Sequence, residues 1–311
     1  MRRDITYAEA SQGLHASIVL DLAGDSSVWS AAIQQVHAYP LAVPADRSGL
    51  PAVVRQILGV NVAAFSSLQA INLIAEKVAR QQSGIFAFCN AHTANMANSR
   101  ADLREALRHA TVFNDGIGVD VASRVLYGAS FPENLNGTDL TPALLDALPA
   151  GTPVFLLGSR PGVAQDAAAL LEQRHDIRVV DTHHGYFSPH EEPRIAEQIA
   201  ASGARLVIVA MGNPGQELWA ARNHAAMPAP ILCVGAFLDF TAGRVARAPR
   251  ILRDLRLEWV YRLLQEPRRL ARRYLLGNAG FLLAVLQQRA ARQVIADALT
   301  TPRNRTGLTG E

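Results

Sequence analysis

Along the middle of this chain, short apolar clusters alternate with longer stretches in which apolar positions recur every three or four residues. The clusters IFAFC (85–89), TVFN (111–114), PVFLLG (153–158), IRVVD (177–181), RLVIVAMG (205–212) and PILCVGAF (230–237) are too short for buried helices. They are rich in β-branched and aromatic residues and read as buried strands. VVRQILGVNVAAFS (53–66) adds one or two short strands ahead of them. The intervening stretches predict a helix from residue 90 to about 109, and others around 119–127, 139–148, 189–201 and 216–224. Another follows residue 158, with Ser159 as its cap and Pro161 in its first turn. Strands that alternate with helices require right-handed crossovers. The fold class is therefore α/β: a Rossmann-like, mostly parallel sheet with helices on both faces.

Both ends depart from this pattern. Residues 1–52 carry Pro40, Pro44 and Pro51 without sustained periodicity and are expected to be a partly disordered extension. The α/β body spans 53–243. After Gly243 strand signals vanish, and 244–300 reads as an arginine-rich α-helical appendage punctuated by Pro249 and Pro267. The tail, 301–311, is expected to be disordered.

Composition narrows the class. Hydrophobic residues make up 49% and charged residues 18% of the chain, which excludes global disorder. Cys89 and Cys233 lie far apart in apolar runs and read as reduced core thiols, so a cytoplasmic setting is expected. The net charge is only +3, but arginines crowd 244–273, which points to an anionic partner. No stretch of about 18 apolar residues predicts a membrane span. The start, interrupted by His15 and Asp21, is a poor signal peptide. The segment 274–286, YLLGNAGFLLAVL, is long enough to lie at a membrane interface. In the appendage Arg253, Arg256, Arg262, Arg268, Arg269, Arg272 and Arg273 mingle with Leu255, Trp259, Leu263, Leu270 and Tyr274, as in an interfacial helix on anionic lipid or an ordinary solvated face over a buried Leu255-Trp259-Leu263 stripe. The apolar stripes face lipid, a second copy in a homo-oligomer, or the body itself.

In open α/β sheets ligands bind beyond the carboxyl ends of the strands. Asn90, Asn114, Asp115 and Gly116, then Gly158 and Ser159, Gly185 and Tyr186, Gly212, Asn213, Gln216 and Glu217, and finally Asp239 all fall at such ends. Glycines let the backbone approach a phosphate, and helix N-termini offer it free N–H groups. Asp115, between a strand end and a glycine turn, is placed either as a general base or as a helix cap. GSRPG and GNPGQE each read as a phosphate-binding turn or a plain strand–helix connection. Gln216 is placed to bond a base or sugar, or to satisfy its own loop. His183 and His184 have no metal-ligand spacing, and no metal or cofactor is expected. No Asp-x-Asp occurs, so a leaving diphosphate needs another cation, which the arginine appendage offers.

The order of these loops resembles the WecG/TagA/CpsF family, glycosyltransferase family 26. The resemblance runs from about residue 57 to 274 through ILGVNVAAFS, NDGIGV, ASRVLYG, LNGTDL, FLLGSRPGVA, HGYF, MGNPGQE, GAFLDFTAGRVARAP and LEWVYRLLQEPRRLARRYL. It implies an inverting transferase that moves a sugar from a UDP-sugar to an undecaprenyl-diphosphate-linked saccharide. The work would be done peripherally at the inner face of the cell membrane, in cell-surface polysaccharide synthesis. The resemblance implies that Asp115 is the base and that Asn90 and Gln216 are binding residues. It also implies that Arg262, Arg269 and Arg273 complete the site. Two positions depart from the family pattern: Phe88 stands where relatives carry threonine, and Asn134 where they carry arginine. N-acetylmannosamine, its uronic acid and glucose all remain compatible as the sugar. Two rival classes are weaker. A nicotinamide oxidoreductase lacks GxGxxG here, and a basic lipid- or nucleic-acid-binding protein does not need the ordered rim loops; no nucleic-acid partner is expected.

Overall fold

The computed structural model describes residues 53–249, 251–252 and 258–300, and within these the side chains of 269, 272, 273 and 296–300 are left aside. The expected extension (1–52), the tail (301–311), Arg253, Leu255 and Arg256 lie outside the described residues.

The strands are β1 (Val54–Ile57), β2 (Val60–Ala63), β3 (Gly84–Cys89), β4 (Ala110–Asn114), β5 (Thr152–Gly158), β6 (Ile177–His183), β7 (Leu206–Ala210) and β8 (Pro230–Cys233). They form one eight-stranded sheet in the order β1-β2-β4-β3-β8-β7-β5-β6. The β1–β2 hairpin is antiparallel and the other pairs are parallel. A parallel sheet must be covered on both faces, and β7 shows why its sequence is apolar throughout. Val207 and Val209 pack into one core layer, Leu206, Ile208 and Ala210 into the other.

On the first face lie α2 (Ala91–Ser99), α3 (Ala101–Arg108), α4 (Ile117–Tyr127), α7 (Glu192–Ala201) and α8 (Gly215–Asn223). On the second lie α1 (Ser67–Arg80), α5 (Gly137–Ala147), α6 (Val163–Arg174) and the short α9 (Phe237–Thr241). Local chemistry sets several ends. Ser66 and Gln69 form a reciprocal capping box on α1, and Gln81 closes it in the left-handed region. The C-terminal helices are α10 (Glu258–Gln265), α11 (Pro267–Ala271), a π-helical turn (Arg272–Leu276) and α12 (Gly277–Thr300). Phe281 and Val285 of α12 are buried in the same layer as α2 and α4. Among the described residues, no helix is long and apolar enough to cross a membrane.

Three expectations need correction. The single helix expected over 90–109 is two helices, broken at Arg100, whose backbone is extended (φ −119°, ψ 110°). Ser99 turns its hydroxyl onto the carbonyls of Asn95 and Met96, so a short polar side chain competes with the helix ladder there. Ser159 does not cap α6. It remains bonded to the neighbouring strand, its N–H donating to the Ala210 carbonyl at 2.8 Å, and Gly162 at φ 89° makes the turn instead. The helix expected from 189 begins at Glu192, because Ser188 spends its N–H and hydroxyl on the Glu191 carboxylate.

Candidate active site

Parallel pairing brings the carboxyl ends of β4, β3, β8, β7, β5 and β6 to one rim. Between β3 and β8 the chain leaves toward opposite faces, into α2 and α9, and between β7 and β5 it does so again, into α8 and α6. Such divergences open crevices for ligands.

At the first crevice, the Asp115 N–H donates to the Cys89 carbonyl at 2.8 Å, which prolongs the β3–β4 ladder by one residue. Gly116 at φ 85° then turns the chain into α4. This leaves Asp115 half-buried at the strand end, with Oδ2 accepting from Asn90 Nδ2 at 3.1 Å. Asn90 Oδ1 meanwhile accepts from the His92 and Thr93 N–H groups, both at 3.1 Å, and so caps α2. Beneath the turn, Asn134 Oδ1 accepts the Gly116 N–H at 2.6 Å. Asn114 is buried, its Nδ2 donating to the Glu133 carbonyl at 2.8 Å. Asn134, the departure from the family pattern, thus holds the glycine turn that presents Asp115. Phe88, the other departure, is buried against the first residue of α5; a Cβ on Gly137 would lie 3.0 Å from its ring.

The second crevice is closely packed. Gly158, at φ 142°, lies so near β7 that an added Cβ would meet the Ala210 carbonyl oxygen at 2.4 Å. Ser159 donates its hydroxyl to Asp239 Oδ2 at 3.0 Å, and its backbone carbonyl accepts the Gly185 N–H at 2.9 Å. Tyr186 beside it is exposed.

Between β7 and β8, Gln216 Oε1 accepts the N–H groups of Gly212 (3.2 Å) and Gly235 (3.0 Å). Its Nε2 donates to Glu217 Oε1 at 2.8 Å, and Asn213 donates to the same oxygen. Gln216 therefore ties two rim loops together from a buried position. Burial pushes the Glu217 carboxyl up to about 7, against the opposing pull of these hydrogen bonds. Its Oε2 is buried with no hydrogen-bond partner among the described residues, as suits a protonated acid. Burial likewise raises the Cys89 and Cys233 thiols, both free.

The C-terminal helices close over this rim. The Arg262 guanidinium stands 5.5 Å from the centre of the Phe240 ring. Trp259 packs on Tyr274 with ring centres 5.7 Å apart. Arg247 pairs with Asp139 at 2.5 Å. The Glu258 carboxyl is raised by burial first, pulled back by Arg247 and Arg262, and raised further by Asp115 and Asp139. Glu258 thus lies within electrostatic reach of Arg247, Arg262, Asp115 and Asp139. Arg269 and Arg273 fall on α11 and the π-helical turn, with side chains outside the described residues.

The rim thus gathers a half-buried carboxylate, glycine turns at the starts of α4, α6 and α8, and cationic side chains above them, a set suited to proton abstraction beside an anionic leaving group. Among the described residues no group of His, Cys, Asp or Glu is arranged to hold a metal ion. Sequence reasoning missed Asn134, Arg247 and Glu258. The only signal was the odd residue after Pro132-Glu133, read as a motif departure rather than as a partner of Gly116. In comparison with known proteins, residues 55–294 match the family model described as Glycosyl transferase WecG/TagA/CpsF family.

Proposed function

The chain belongs to the WecG/TagA/CpsF family of glycosyltransferases, and from that premise we propose that it transfers a sugar from a UDP-sugar to an undecaprenyl-diphosphate-linked saccharide with inversion. Membership carries a glycosyltransferase role in polysaccharide synthesis, with a sugar donor and a lipid-linked acceptor. The rest is our reading. The donor diphosphate lies on the N-termini of α4, α6 and α8, where glycines let the backbone approach phosphate oxygens and the helix ends favour negative charge. The acceptor hydroxyl enters from the membrane side. Asp115 takes its proton as the new bond to the anomeric carbon forms, and the old bond breaks with its electron pair leaving on UDP. Arg262, together with Arg269 and Arg273, answers the charge that develops there, in place of a divalent ion. Asn90 orients the Asp115 carboxylate, and Asn114 and Asn134 hold the turn beneath it. Ser159, Gly185, Tyr186, Asn213 and Asp239 shape the donor pocket, with Gln216 and Glu217 fixing the loops behind it. The 53–243 body supplies the donor pocket, and 244–300 carries the enzyme to the inner face of the membrane.

The observation that carries this reading is the Asn90–Asp115 pair at the strand-end rim, with Asp115 within electrostatic reach of Glu258. The test is UDP release from a panel of UDP-sugars carrying N-acetylmannosamine, its uronic acid or glucose, with a short-chain lipid-diphosphate saccharide as acceptor. One donor should give acceptor-dependent release with a covalently extended product. Release that ignores the acceptor, or none with any UDP-sugar, overturns the proposal.

A further inference from the structure

Two helices share one surface on the flank of the molecule, and they run in the same direction. Phe281 near the start of α12 sits by Gly118 at the start of α4. Arg292 further along reaches the end of α4, donating to the Leu126 carbonyl at 3.5 Å and the Tyr127 hydroxyl at 3.0 Å. The exposed residues repeat one spacing on both. On α4 they are Ile117, Val121, Arg124 and then Gly128; on the wider exposed side of α12, which also carries Leu283, Gln287 and Val294, one stripe at the same spacing is Leu282, Leu286, Arg289 and Gln293. Positions i, i+4, i+7 and i+11 lie on one face of a helix. Ile117 and Val121 are 41% and 37% exposed, and Leu282 and Leu286 are 44% and 54% exposed. Both stripes therefore change from apolar to basic at the same level, with each arginine about 4.5 Å along the axis from the apolar residue before it.

At the basic end the helices enclose an open concavity of about 390 Å³, lined by Arg124, Arg289, Arg292, Gln293, Gly128 and the adjoining Val125 and Leu126. No acidic residue lines it. Arg124 is held by Ser130 at 2.5 Å and by the buried Asp120 at 3.4 Å, and Arg292 lies over the Tyr127 ring at 4.3 Å. Two guanidinium groups are thus fixed by the protein. Arg289 is exposed and has no hydrogen bond or ion pair among the described residues.

We propose that this concavity receives the phosphate headgroup of an anionic lipid, while the leucine and isoleucine stripes beside it lie at acyl-chain depth. Guanidinium forks match phosphate oxygens, and apolar side chains one helical turn away match the boundary between headgroup and acyl chain. This orientation dips the strand-end rim toward the bilayer. The proposal rests on the membrane-side reading above only in choosing a lipid over a soluble phosphate.

The test is co-sedimentation of the full chain with vesicles of phosphatidylcholine alone and of an equimolar mixture with phosphatidylglycerol. Wild type should partition onto the mixed vesicles far better. Arg289→Glu should lose at least about tenfold of that partition, since each basic group near an anionic surface contributes about fivefold, and Arg289→Lys should keep most of it. Leu286→Gln should weaken binding as well. Equal partition of wild type onto both vesicles, or wild-type partition by Arg289→Glu, overturns the proposal. So does a stabilisation by inorganic phosphate that depends on Arg289 when vesicle binding does not. Transfer to a water-soluble acceptor should survive in Arg289→Glu. If wild type shows no transfer but its vesicle binding still depends on Arg289, the transferase reading fails and this one stands.

Discussion

Asn90 and Asp115 sit at the ends of neighbouring parallel strands, and Asn90 uses both halves of its amide at once. Its Nδ2 donates to Asp115 Oδ2 at 3.1 Å while its Oδ1 caps α2 through the His92 and Thr93 N–H groups. The cap fixes the amide, so the donor aimed at the carboxylate is held by secondary structure rather than by a free rotamer. A donor to the ionised form favours the charged carboxylate and holds its orientation.

Two substitutions separate these halves. Asn90→Asp keeps the helix cap but sets a like charge against Asp115. At neutral pH the repulsion should cost about 1.4 kcal/mol or more of stability, recovered as the pH falls, and the acidic limb of the kcat/KM pH profile should move up by about one unit or more. Asn90→Ala removes the cap as well and should cost about 1 kcal/mol of stability, measured by chemical denaturation.

Glu217 gives a pH signature in stability. Its unfolded carboxyl titrates near 4.5 and its folded one near 7, so the native state holds the extra proton between those values. Stability must then fall as pH rises through that window and stay low above it, by up to about 3 kcal/mol. Glu217→Gln should remove that pH dependence while keeping the loop closed. Denaturation midpoints at pH 5 and pH 8 measure it, and equal slopes in both proteins would contradict the assignment.

Arg262 should act on the leaving group more than on substrate affinity. Arg262→Ala is expected to lower kcat by about 10²–10³ with a smaller change in KM, as for loss of one preorganised charge at the transition state. Steady-state kinetics with the preferred donor reads this directly.

The close approach of Gly158 to β7 predicts intolerance of any side chain. Gly158→Ala sets a Cβ against the Ala210 carbonyl and strains a residue at φ 142°. Unfolding free energy should drop by more than about 2 kcal/mol, with expression falling in step.

The buried strands were legible because parallel strands are apolar on both faces, as Leu206–Ala210 is. Asp115 was legible as a polar residue at a strand end followed by glycine. What stayed hidden came from contacts distant in sequence. Nothing near Arg100 signals a helix break except the short polar residues before it. Nothing in GNPGQE tells that Gln216 and Glu217 are buried, because their burial depends on β7 lying beside β8 and on the Gly235 N–H arriving from 19 residues away. Ser159 looks like a helix cap until the sheet order sets Gly158 against Ala210. Arg247 and Glu258 gain meaning only when the C-terminal helices fold back over the rim.

The central claim is that the Asp115 carboxylate accepts the acceptor's proton. Asp115→Asn preserves size and the chance to hydrogen bond, so donor binding by calorimetry and the melting temperature should stay close to wild type. Turnover in the UDP-release assay should fall by about 10²–10⁴. An Asp115→Asn protein that turns over near the wild-type rate would remove Asp115 from the chemistry and contradict the account.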